Sequence, residues 1–301
     1  MNYRKLIEEI CKEENIKYNL ISKDWIMVLT KNGVTRCISG YRFPLNDHAI
    51  GSVIDDKYAL YDLCKLLSLP IIEHKLLFNP NSKLGINTIE LIDKYFEEYN
   101  KDVVIKPNNG SEGIGVFHIN SRDELLEKAN ELFKTNFSIS ICPFYKIDKE
   151  YRVVVLDNEV KLIFEKIKPV VVGDGINTIR DLLKRLNPYY FQNKLTDRKY
   201  DTILTNGQIY EYDWRFNLSN GATAKLVEDN DLKQTLTELA LDITNKINAK
   251  FVSVDIIRSN NKLYLIEVNS GVCINKVCNF IDKDFKITKE IYRCAIKKMF
   301  E

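Results

Sequence analysis

The chain opens on a helical pattern, with Leu6, Ile7 and Ile10 on one face, followed by strand-like residues from Trp25 to Leu29. From Asp55 the run DDKYALYDLCKLLSLP puts Ala59, Leu60, Leu63, Leu66 and Leu67 on one helical face and stops at Pro70. A second helix, TIELIDKYFEEYN, precedes a clear strand, VVIKP at 103–107. A polar glycine-containing loop, NNGSEGIG, then leads to the strand VFHI at 116–119, and Ser121 with Glu124 reads as a capping box opening the helix RDELLEKANELF. Between 138 and 172 the pattern is that of strands: SISIC, EYRVVVL and VKLIFEKI, the last two joined by the hairpin turn pair Asp157-Asn158. The turn Gly173-Asp174-Gly175 leads into the helix NTIRDLLKRL, and a long helix covers roughly Asp229 to Ile247. FVSVDIIR and KLYLIEV flank the turn SNN before a last amphipathic helix. Hairpin-paired strands alternating with helical blocks predict a mixed α+β fold rather than a doubly wound parallel sheet.

Composition narrows the partners. At ~150 residues per domain, 301 residues allow one large unit or two to three small ones. Forty-four Lys and Arg balance 42 Asp and Glu, which excludes a disordered chain and argues against a nucleic-acid partner. No apolar run reaches the ~18 to 20 residues of a membrane span, and the start MNYRKLIEEICKEEN lacks a signal-peptide core, so the expectation is a cytoplasmic protein with no membrane partner. Seven Cys without CxxC pairs, beside only three His, read as reduced and mostly buried thiols.

The most informative residues are Asp255 and Glu267, each six positions from Asn261. A turn centred there sets the two carboxylates opposite each other, with Asn269 on the same face because strand side chains alternate. Opposed like charges destabilise a hairpin unless something positive bridges them, and two carboxylates with an amide oxygen suit Mg²⁺. The other reading is a solvated acidic face. The loop NNGSEGIG lies between two strands, so it is neither a Rossmann turn nor a P-loop. Its backbone N–H groups, freed by Gly110, Gly113 and Gly115 and flanked by Ser111, are suited to covering phosphates, although most such loops are plain turns. Lys106, inside the apolar VVIKP strand, calls for a counter-charge if it points inward. Lys57 occupies a helix's first turn, where the dipole disfavours cations, so either a bound anion or plain solvation accounts for it. Glu150 and Arg152 share one strand face, as partners for hydroxyls and for anions respectively or as edge-strand charges. DWRFNLSNGATA at 213–224 is a polar loop containing Arg215, Asn217 and Ser219.

In this order the segments resemble the ATP-grasp superfamily, particularly its carboxylate–amine ligases. The resemblance covers roughly residues 50 to 300 and implies two α+β lobes clamping ATP, with a short N-terminal segment at 1–50, a lid and central lobe at 51–140 and a C-terminal lobe at 141–301. It assigns Lys57, Lys106, Asn109, Gly110, Ser111, Gly113 and Gly115 to the phosphates and Glu150 to the ribose. The hinge SISICPFYKI, through Cys142, Phe144 and Tyr145, is assigned to the adenine edge. Asp255, Glu267 and Asn269 take one or two Mg²⁺, with Mn²⁺ an alternative. VVVGDGINTIRDLLKRLN is similar to cyanophycin-synthetase-like ligases, and DWRFNLSNGATA to the substrate loop those enzymes share with ribosomal-protein glutamate ligases. Lys166 where many relatives carry Arg, Ala222 where a second Gly is usual, and a missing Pro after Asn269 depart from the pattern.

What the resemblance implies is an ADP-forming acid–amino-acid ligase. A carboxylate attacks the γ-phosphoryl of ATP and an amine then attacks the acylphosphate, with Arg215 holding the transferred group and Arg152 and Asn217 near the acid. Its partners are a small-molecule carboxylate and an amine, a peptide among the candidates, and relatives leave a homodimer open. The alternatives are a kinase with a hydroxyl acceptor and a nucleotide sensor without turnover.

Overall fold

Two antiparallel sheets determine where every other element sits in the computed structural model, which describes residues 3–110, 113–186, 191 and 195–301. The larger sheet runs in the order β12 (Thr223–Leu226), β9 (Glu159–Ile167), β8 (Lys149–Leu156), β13 (Phe251–Ser259), β14 (Lys262–Asn269). Alternation along β8 divides its residues between two cores. Tyr151, Val153 and Val155 pack with Leu236, Ala240 and Ile243 of α7 (Asn230–Lys246) and with Ile54, Leu60 and Cys64 of α2 (His48–Asp55) and α3 (Lys57–Leu66). Leu236 and Ile243 are fully buried, which is worth ~1.5–3 kcal/mol each. Val154 and Leu156 face the other way, with Phe164 and Phe251, into the core beneath the N- and C-terminal helices.

That second core takes in the N-terminal segment. Residues of α1 (Tyr3–Glu13) and of the small sheet β1 (Lys17–Ile21), β2 (Ile26–Lys31), β3 (Val34–Ser39) are buried with Tyr292 and Ile296 of α9 (Lys286–Lys298). Phe43 joins them, edge-on to Phe251 at 5.1 Å and stacked on Tyr292 at 5.7 Å. The remaining C-terminal helix, α8 (Asn275–Ile281), contributes Val277 to the same core.

The smaller sheet has the order β4 (Lys75–Phe78), β7 (Ser138–Pro143), β5 (Val103–Pro107), β6 (Phe117–Ile119). One face, Leu77, Ile105, Ile139 and Ile141, is covered by α4 (Thr88–Glu98) and α5 (Arg122–Phe133). Register puts Lys106 beside Ser140 and Val104 beside both Cys142 and His118, so the other face is a mixed polar one. The expected lobe boundary at 140/141 falls inside β7, and α2 and α3 share the larger sheet's core rather than the smaller one's. A third unit has its own core: β10 (Val170–Val172), α6 (Ile179–Leu186) and β11 (Ile209–Glu211) enclose Val171, Leu183, Phe191, Leu195 and Leu204.

The α+β reading stands, and local details differ from it. The helix expected from Asp55 is two helices broken at Asp56, whose carboxylate accepts the Ala59 N–H at 2.8 Å and starts α3. Leu66, expected on the buried face, is 81% exposed, and Cys64 is buried instead. Ser121 is the N-cap of α5 but makes no capping hydrogen bond, so the capping box does not form. All seven cysteines are free and four are buried. Among the described residues, no helix is long and apolar enough to cross a membrane.

Candidate active site

The two hairpins of the larger sheet are built alike. Asp157-Asn158 and Asn260-Asn261 all have positive φ, as two-residue turns between right-twisted strands require. The turn expected as SNN is therefore Asn260-Asn261, with Ser259 already paired to Lys262. A register shift follows in each hairpin, between Val154 and Val155 and between Asp255 and Ile256. Beyond it Glu150 pairs with Lys166, Arg152 with Asp255, and Asp255 with Glu267. One face of the sheet thus gathers Glu150, Arg152, Lys166, Asp255 and Glu267, with Asn269 two residues on.

Asp255 is buried, and both carboxylate oxygens accept from Arg152, at 2.6 and 2.5 Å, while Lys166 donates at 3.0 Å. Burial alone would raise its pKa, but the two cations outweigh it and hold the carboxyl well below the usual range. Lys166 also donates to Glu150 at 2.5 Å, yet burial dominates there and pushes the Glu150 pKa up. Glu267 differs from both. Its Oε1 accepts from the Asn269 amide at 3.3 Å, and among the described residues no cation pairs with it.

Lys106 comes from the smaller sheet and Lys57 from α3. Lys106 is buried on the polar face of β5 and, among the described residues, has no hydrogen-bond or ion-pair partner. Lys57 opens α3, but the N–H groups there are not free for an anion. Those of Lys57, Tyr58 and Ala59 go to the Asn108 carbonyl, the Asn108 side chain and Asp56. The Lys57 ammonium donates instead to the Gly110 carbonyl at 2.5 Å, which ties α3 to the glycine loop. Burial lowers the Lys57 pKa, with Glu267 opposing the shift and Lys106 adding to it, so the three charges sense one another.

The glycine loop meets the polar loop at Arg215, which is paired with Asp213 at 2.7 Å and donates to the Gly113 carbonyl at 3.2 Å. Gly113 and Gly115 hold φ of +68° and +69°. A Cβ on Gly113 would lie 2.6 Å from Asn217 Nδ2, so the loop approaches Asn217 as only glycine allows. Asn217 also caps the short turn at Leu218–Asn220. Asn109 is exposed, Gly110 lies against Pro107, and Ser111 falls outside the described residues.

The hinge segment is partly committed elsewhere. The Phe144 N–H donates to the Asp102 carbonyl at 2.9 Å, and the Phe144 ring stacks on His118 at 3.7 Å. Cys142 is buried in β7, while Tyr145 packs near Tyr264 at 5.7 Å. The sequence reading missed Asn108 and Trp214, whose ring lies edge-on to Phe144 at 5.6 Å. It also missed Lys166 as the shared partner of Glu150 and Asp255, although the hairpin register at Asp157-Asn158 contained that signal.

Among the described residues no three His, Cys, Asp or Glu side chains gather as a metal cage. The donor set of Asp255, Glu267 and Asn269 nevertheless fits Mg²⁺, which takes few protein ligands and completes its shell with water and phosphate. Among the described residues Glu267 has no ion-pair partner, and Asp255 Oδ1 accepts one bond, from Arg152, and keeps a second lone pair, whereas Oδ2 is used by both Arg152 and Lys166.

Comparison with known proteins bears on the fold. Residues 202–292 match the model of the RimK-like ATP-grasp domain. A glutathione biosynthesis bifunctional protein of Streptococcus agalactiae is 25% identical over 239 residues, covering 70% of this chain and 31% of that protein. Its counterpart in Clostridium perfringens is 28% identical over 202 residues, 63% of this chain and 25% of that protein. The chain therefore spans less than a third of these curated relatives. Among solved structures, D-alanine–D-alanine ligase from Bacillus anthracis superposes with a TM-score of 0.57 at 14% identity, over 83% of this chain and 69% of that one. A bifunctional glutathione synthetase from Pasteurella multocida gives 0.57 at 15% identity, over 98% and 44%. The two-sheet architecture is that of the ATP-grasp fold, and residues 202–292 match its RimK-like form.

Proposed function

We propose that this protein is an ATP-dependent, ADP-forming carboxylate–amine ligase acting on amino acids or small peptides. One observation carries the reading. Among the described residues Lys106 is a buried cation with no hydrogen-bond or ion-pair partner, and Glu267, whose charge reaches the neighbouring Lys57, is a carboxylate in no ion pair. A buried unpaired charge costs several kcal/mol, so it persists where a ligand supplies its complement. A nucleotide phosphate with Mg²⁺ supplies both complements at once. The similarity to glutathione-forming and D-alanine-ligating proteins supports ligation as the chemistry.

In this reading Asp255, Glu267 and Asn269 hold Mg²⁺, which would neutralise phosphate charge. Lys106 and Lys57 bind phosphate oxygens, with Asn109, Gly110, Gly113 and Gly115 of the glycine loop beside them. The smaller sheet with α4 and α5 acts as the lid half, and the larger sheet, which carries Asp255, Glu267 and Asn269, as the metal-bearing half. Glu150 takes the ribose, and Cys142, Phe144 and Tyr145 border the adenine. A substrate carboxylate oxygen attacks the γ-phosphorus, and the bond from that phosphorus to the ADP oxygen breaks. The amine then attacks the acyl carbon, phosphate leaves, and the nitrogen loses a proton. Arg215 stabilises the transferred phosphoryl group, with Arg152 and Asn217 towards the acid. The loop also excludes water from the acylphosphate.

The test is a screen of acids and amines for ADP release that needs both, with products identified by mass. An amide formed one-for-one with ADP is the expected result. A phosphorylated hydroxyl product, or ATP consumption unaffected by Asp255→Asn, would overturn the assignment.

A further inference from the structure

The unit built on β10, β11 and α6 contains a cavity of about 460 Å³, within the range of small-molecule sites. Its lining includes the core residues Leu183 and Leu195 and the rings of Tyr200, Tyr210, Tyr212 and Trp214. All four rings are only partly buried, so they serve as cavity walls rather than as a filled core. Aromatic walls with few polar tips recognise apolar and aromatic groups.

Charge gives the cavity a direction. Among the described residues Lys168, Lys199 and Arg215 line it against Glu211 and Asp213, one more cation than anions. Lys168 is paired with Glu211 at 3.1 Å and Arg215 with Asp213 at 2.7 Å. Lys199 lies over the Tyr200 ring at 5.1 Å and pairs with Asp197 at 3.5 Å with both side chains exposed, and such an ion pair is worth little. At one end Arg215 donates to the Gly113 carbonyl and Trp214 stands edge-on to His118 at 5.8 Å, so that end opens beside the glycine loop. The other end is apolar, at Leu183 and Phe191.

We infer that this cavity binds an amino-acid or short-peptide substrate through an aromatic or large aliphatic side chain, with the substrate carboxylate towards Arg215. The orientation rests on the ligase reading, whereas side-chain recognition does not need the nucleotide.

Trp214 reports on its own cavity. The chain has two Trp, so Trp25→Phe leaves Trp214 as the single indole. Titration of that protein with alanyl-phenylalanine, without nucleotide, is expected to give a saturable change in Trp214 emission. Binding should be roughly tenfold or more tighter than for alanyl-alanine, as burial of one aromatic side chain predicts. Tyr210→Ala should weaken alanyl-phenylalanine by a similar factor while calorimetric binding of Mg-ATP is unchanged. Equal affinity for the two dipeptides, or no saturable signal, overturns the inference, and the wild-type comparison decides it even if Tyr210→Ala fails to fold. Mg-ATP titration of the same protein separately tests the ligase reading, so the two failures are distinguishable.

Discussion

Asp255 faces Glu267 across β13 and β14, yet among the described residues only Asp255 is held in ion pairs. Arg152 and Lys166 hold Asp255, while Glu267 has the Asn269 amide. Opposed carboxylates in a hairpin repel, and here the repulsion is relieved on one side alone.

The asymmetry predicts different stabilities for two isosteric changes. Asp255→Asn leaves Arg152 and Lys166 without their shared counter-charge and should cost about 3 kcal/mol. Glu267→Gln breaks no ion pair and should stay within about 0.5 kcal/mol. Both should lower Mg-dependent ADP release by roughly 100-fold or more. Urea unfolding beside an ADP assay separates the two effects, and equal destabilisation would contradict the pairing.

Lys106 should behave in the opposite way to a structural lysine. Because it is buried without an ion-pair partner among the described residues, Lys106→Met should leave the free protein equally stable or about 1 kcal/mol more stable. Mg-ATP affinity should fall by roughly 100-fold. Unfolding curves without nucleotide and calorimetry with it test both halves. A destabilised free protein would mean that the ammonium has a protein-side role.

The charged hairpin was legible for a reason the spacing did not contain. Counting six residues either side of Asn261 assumes a turn centred on that residue, whereas the turn lies between Asn260 and Asn261. Equal spacing still gives the correct pair because β14 accommodates Ile266 as an extra residue where the register shifts. The same device, with Lys161 as the extra residue, aligns Glu150 with Lys166. Alternation likewise gave Arg152 and Asn269 their faces, since it depends on backbone geometry alone. The surroundings of Lys57 were not legible, because groups that occupy its helix terminus come from Asn108, 51 residues away. The cavity at Tyr200 to Arg215 was invisible for a related reason: a polar loop without period acquires its meaning only from what it packs against.

Glycine at 113 is required twice, by its φ of +68° and by the approach of Asn217. Gly113→Ala imposes a left-handed conformation costing about 1 kcal/mol and forces the loop off Asn217. The predicted result is a kcat lowered roughly tenfold, with global stability changed by no more than about 1 kcal/mol. Adding Asn217→Ala relieves the contact but not the backbone strain, so any recovery should be partial. Steady-state kinetics of the single and double variants check this, and an unchanged kcat would remove the loop from the rate-limiting step.

His74 gives stability a pH dependence of definite sign. Its Nδ1 sits 3.1 Å from the Ile72 carbonyl, which only accepts, so the proton is on Nδ1 and Nε2 is a buried lone pair without a partner. Burial first, and Lys106 and Lys57 after it, hold the ring's pKa well below the usual histidine value. The unfolded chain therefore takes up a proton near pH ~6.5 that the native protein refuses until the pH is lower. Above that value the contribution is fully present, and below it stability is lost as pH falls, by at most ~1.4 kcal/mol per pH unit. His74→Asn retains a donor for Ile72 and removes the titrating ring. The stability difference between wild type and His74→Asn should be constant above about pH 7 and shrink progressively towards about pH 5. Denaturant midpoints at several pH values measure it, and a difference that stays constant throughout would show that His74 accepts its proton in the fold.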